Sequence, residues 1–97
     1  MASIRELKKD IDLVMSLALN DCFYVLEYNS KVDDEAVMKI AGEIIQNHRQ
    51  LRIRASHVDG KENPKMVKQY YKDLVGDLLK AADSALKKLS AEVKKVV

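Results

Sequence analysis

The side chains best equipped for chemistry in this 97-residue chain are His48, the adjacent pair Asp21 and Cys22, and a gathering of bases from Arg49 to Lys68. An imidazole can serve as a base or metal ligand near neutral pH, and a thiolate as a nucleophile, but each needs partners. His48 has none at ligand spacing. Glu43 lies five residues before it, so the Glu-x-x-His pattern of di-iron bundles is absent. Standing on the apolar stripe of its helix, His48 is expected to be a structural histidine hydrogen-bonded to a neighbour such as Tyr71. Cys22 falls on a core face with no cation placed beside it, which predicts a small inert hydrophobe. No Gly-rich phosphate loop, G-x-S-x-G or H-E-x-x-H occurs. The chain therefore reads as a non-enzyme, with no catalytic residue, cofactor or metal expected.

Arg49, Arg52 and Arg54, followed by Lys61, Lys65 and Lys68, gather positive charge at one end of the chain's helical arrangement and could hold a nucleic-acid backbone. Against that, no aromatic residue is interleaved, and Asp59 and Glu62 interrupt the run. A solvated surface is the expectation, and nucleic acid is not expected as a partner. A narrower anion site remains conceivable at the start of the last helix, where uncommitted N–H groups meet His57, Lys61 and Lys65. The competing reading is that Asn63 caps those donors itself.

These residues need elements to hold them, and the elements are helices. Ser3 and Glu6 have capping-box spacing, so a first helix opens at Ile4. Ile4, Leu7, Ile11, Val14, Ala18, Cys22 and Val25 recur at steps of three and four, the period of one buried face. Asn29 and Ser30 make a turn, and Asp33 or Asp34 caps a second helix with stripe Val37, Ile40, Ala41, Ile44, His48, Leu51 and Ala55. Asn63 followed by Pro64 starts a third, through Val67, Tyr71, Leu74, Leu78, Ala82, Ala85, Leu89, Val93 and Val96. The expected fold is all-α: a single-domain, antiparallel up-down-up bundle with helices of roughly 26, 22 and 33 residues and a long C-terminal helix. Setting Tyr28 beside Leu89 leaves Val93, Val96 and Val97 projecting past the other helices.

Composition agrees with one small domain. The chain is 47% hydrophobic and 33% charged, with 17 Lys and Arg against 15 Asp and Glu. That balance is too mild to announce a nucleic-acid or membrane partner. Its distribution is uneven, since residues 1–29 carry three bases and five acids while residues 63–97 carry eight bases and four acids. A lone cysteine removes any disulfide framework, no apolar run is long enough to cross a bilayer, and the flanks of Leu13 to Leu19 do not resemble a signal peptide; a cytoplasmic location is expected. The segment from His57 to Lys65, with the opening Ser3-Ile4-Arg5-Glu6-Leu7-Lys8-Lys9, is similar to small helical proteins of unknown function from Bacteroidota. The resemblance implies a small all-helical fold and supplies no substrate or active residue.

Function is expected to lie on a surface. Leu13, Leu17, Asn20 and Tyr24 form a second stripe on the first helix, well away from its core face, and Phe23 flanks it on the other side. A three-helix monomer has one core and cannot cover both faces. Exposed apolar patches of this size mark interfaces, so the expectation is a homodimer closed through the first helix, or a docked protein partner, with Asn20 setting register. The alternative is that helix three or the first loop wraps over the stripe within one chain.

Overall fold

The computed structural model describes residues 4–57 and 63–96, and three helices account for nearly all of them: α1 (Ile4–Tyr28), α2 (Asp34–Ser56) and α3 (Pro64–Lys94). No strand occurs among the described residues. The helix boundaries follow local hydrogen bonding. Asp33 accepts from the amides of Glu35 (3.1 Å) and Ala36 (3.4 Å), satisfying donors that the first turn of α2 would otherwise leave unpaired. Asn63 does the same for Met66 at 3.3 Å, ahead of Pro64 in the first turn of α3. Between α1 and α2 the Asn29 side chain accepts from the Lys31 amide at 3.3 Å and its carbonyl from the Val32 amide at 3.3 Å. Ser3, the expected capping residue of α1, lies outside the described residues.

The core runs along the middle of the three helices. Leu7, Ile11, Met15, Ala18 and Cys22 enter from α1, Val37, Ile40, Ala41, Ile44, Leu51 and Ala55 from α2, and Leu74, Leu78, Ala85 and Leu89 from α3. Full burial of each large member stabilises the fold by about 1.5–3 kcal/mol. The stripe of α1 departs from expectation at two points: Met15 is fully buried beside Val14, which packs against the core only partly buried, as does Val25, and Ile4 is exposed at the helix's open end. Val32 is also buried, so the first connection packs down onto the core.

On the α2–α3 side, Arg54 meets Asp77 at 2.8 Å and Glu43 meets Lys88 at 2.9 Å. Positions descend on α2 as they ascend on α3, so these two helices run in opposite directions. The expected overhang of α3 is corrected. Val93 and Val96 pack against the core because Tyr24 and Val25, not Tyr28, share a groove with Leu89 and Val93, a shift of about one turn. Val97 lies outside the described residues. The described chain measures 54 × 18 × 17 Å.

Candidate functional site

A helix turns 100° per residue, so Leu13, Leu17, Tyr24 and Tyr28 share one side of α1, and Val75, Leu79 and Leu86 share one side of α3. Both sides flank the groove between these helices, whose walls are Asp21, Tyr24 and Val25 on α1 and Leu86, Leu89, Ser90 and Val93 on α3. The result is one apolar face shared by two helices. Leu13 is 59% exposed, Leu17 56%, Tyr24 64% and Leu79 57%, values usual for surface lysines rather than for leucines near a core. Tyr24 and Tyr28 lie against each other with ring centroids 4.6 Å apart and ring planes tilted by 39°.

Every residue expected at the interface, Leu13, Leu17, Asn20, Phe23 and Tyr24, is exposed in the structure. Neither α3 nor the first connection covers the stripe: the connection turns Val32 inward, and α3 contributes apolar side chains beside it. Phe23 stands apart. One residue before Tyr24, it points about 100° away, toward the α2 side of α1. The contribution of α3 lies outside its core stripe, yet Val75, Leu79 and Leu86 recur at steps of four and seven, a second helical row.

His48 does not meet Tyr71. Its Nε2 lies 2.6 Å from Asp12 Oδ1, and Arg52 Nη1 donates to both oxygens of the same carboxylate at 2.8 and 2.7 Å. Two basic groups one turn apart on α2 thus clamp one acid on α1. The His48 hydrogen bond chiefly, then Arg52, holds the Asp12 carboxyl below its ordinary range, while burial pulls it the other way. A histidine paired with an aspartate is half of a catalytic arrangement, but Arg52 occupies the carboxylate and the only thiol is elsewhere. Cys22 is fully buried, and burial, with Asp21 second, pushes its thiol up, away from the reactive thiolate. Tyr70 is the tyrosine that reaches α2, donating its hydroxyl to the Arg54 carbonyl at 2.9 Å.

At the second loop, Asn63 caps the Met66 amide, and the exposed His57 ring bonds through Nδ1 to its own helix at the Ile53 carbonyl, 2.9 Å away. The donors expected to hold an anion are thus partly committed. Lys61 lies outside the described residues, and Lys65 is exposed on α3, where with Lys68, Gln69 and Lys72 it lines a shallow basic depression. Among the described residues no group of three or more His, Cys, Asp or Glu could hold a metal ion. No described helix is long and apolar enough to cross a membrane. In comparisons with known proteins, no family model, curated protein or solved structure matches the chain.

Proposed function

We propose that the chain is an up-down-up bundle acting as a non-enzymatic interaction or structural protein, which self-associates or docks a helical partner through the apolar face of α1 and α3. The observation that carries this reading is the exposure of Leu13, Leu17 and Tyr24 together on one side of α1, beside Leu79 and Leu86 of α3. Covering such side chains is worth about 1.5–3 kcal/mol for each one fully buried, enough for a handful to offset the entropy of association. The opposed directions of α2 and α3 support the up-down-up order. A lone buried thiol is at home in a reducing cytoplasm. Sedimentation equilibrium at micromolar concentration tests the reading: the expected result is a species above the 11.0 kDa chain mass that reverts to it in Leu17→Asp/Tyr24→Lys with helicity intact. A strict monomer that also captures no helical partner would defeat it.

A second reading is weak binding of an anionic ligand or nucleic acid at the basic end. It is favoured by Lys65, Lys68 and Lys72, which lie one turn apart and form no ion pair among the described residues. Binding of that kind weakens steeply as salt rises, whereas the apolar association does not.

A further inference from the structure

The two helices that share the apolar face carry opposite charge along it. The exposed side of α1 bears Asp10, Asp21 and Glu27 against Lys9; the exposed side of α3 bears Lys65, Lys68, Lys72 and Lys94 against Asp83. Among the described residues no ion pair joins α1 to α3, so these charges are not spent on each other within the chain. Resting on the reading above, we propose that the occupant of this face is a second copy of the chain, laid parallel so that α1 of each copy lies over α3 of the other.

Symmetry leaves two ways to press identical two-helix faces together. A two-fold axis across the bundle sets α1 on the partner's α1 and α3 on the partner's α3, bringing acids toward acids and lysines toward lysines. A two-fold axis along the bundle crosses them, setting the acidic helix over the basic one. Like charges brought together across an interface disfavour the first arrangement, and complementary ones favour the second. Register follows without adjustment, because an axis along the bundle keeps every residue at its own height. Tyr24 and Val25 share a groove with Leu89, Ser90 and Val93, so α1 and α3 stand at an offset of about 66 residues. At that offset Leu13 lies level with the partner's Leu79, Tyr24 with the partner's Ser90, and Glu27 with the partner's Lys94; Lys65 and Lys68 stand before the level at which α1 begins, so Glu27 and Lys94 carry the close charge pairing. The bundle's long side, within an outline of 54 × 18 × 17 Å, has room for the roughly 800 Å² per partner of a standard interface.

Cross-linking through exposed positions tests the arrangement without disturbing the core, and Cys22 stays silent because it is buried. Leu13→Cys and Leu79→Cys proteins, mixed and oxidised, are expected to give a disulfide-linked heterodimer of twice the chain mass, while Leu17→Cys alone stays unlinked. Charge reversal gives an independent readout: Glu27→Lys and Lys94→Glu each weaken self-association severalfold, and mixing the two restores it as a heterodimer. Efficient self-linking of Leu17→Cys, with no Leu13–Leu79 product, would overturn the crossed arrangement while leaving self-association through α1 standing. A wild-type mass of 11.0 kDa at every concentration would remove both this inference and the self-association on which it rests.

Discussion

Helix α3 borders two faces of the bundle, and it treats them in opposite ways. Toward α2 it presents Asp77, paired with Arg54, and Lys88, paired with Glu43. Toward α1 it presents Val75, Leu79 and Leu86, and no ion pair crosses to the other helix among the described residues. On the first face charges are matched across the two helices, with Met66 the exposed apolar side chain on the side of Asp77. The other has leucines and tyrosines where a finished surface has salt bridges. The difference teaches that helix packing alone does not explain this sequence, since both faces are equally external to the core and only one is suited to solvent.

The contrast is sharpest between two leucines. Leu74, fully buried, should cost about 2–5 kcal/mol on replacement by alanine, read as a fall in the urea midpoint. Leu17→Ala, measured at concentrations too low for association, should cost less than about 0.5 kcal/mol. Comparable losses at both positions would mean that the α1 face is packed within the single chain, and the contrast between the two faces would disappear.

Stability and association can also be moved separately. Gly42 and Gly76 sit inside helices with nothing within 4 Å of where a Cβ would stand. Replacing either with alanine should therefore stabilise the fold by up to about 1 kcal/mol, seen in thermal melts, and leave the solution mass as it was. Next in size is the charge-matched face: Arg54→Ala with Lys88→Ala should cost about 1 kcal/mol or less, shrinking as salt is added, again with mass unaltered. A change in mass from that pair would place the proposed interface on the α2 side of α3 instead.

The smallest expected effect is a pH dependence at the α1–α2 clamp. The Asp12 carboxyl is held below its ordinary value of 3.8, so it releases its proton more readily folded than unfolded. Its contribution is therefore present above the unfolded value and lost as pH falls through the lower, folded one. Asp12→Asn should flatten the acid limb of the stability profile below about pH 5, by well under 1 kcal/mol because the group is 40% exposed. An acid limb identical in the variant would assign the lowering no weight in folding.

Much of the fold was legible because its signals are local. Asp33, Asn63 and Pro64 mark helix starts through hydrogen bonds within three residues, and the buried stripes repeat at the helical period whatever the neighbours are. What escaped depends on neighbours. Asp12 looks like part of a solvated back on α1 viewed alone, and only α2 brings His48 and Arg52 to it. Met15 is buried more deeply than Val14 because the core's direction is set by where two other helices stand. The Leu13, Leu17 and Tyr24 stripe was legible as a surplus of apolar faces, but Leu79 and Leu86 were not assigned to it, since a wheel of α3 cannot tell which of its flanks borders α1.

The narrow 54 × 18 × 17 Å outline has a hydrodynamic consequence. A compact globule of this length has a radius of gyration of about 12–13 Å, whereas this rod has 15.8 Å. Drag grows with that elongation, so even a single chain elutes from a sizing column ahead of its true mass and tumbles faster about its long axis than across it. Two rods laid side by side with their heights matched thicken without lengthening. In the proposed pairing the maximum dimension seen by X-ray scattering would therefore stay near that of one chain while the cross-section grew, making the pair rounder than its own building block.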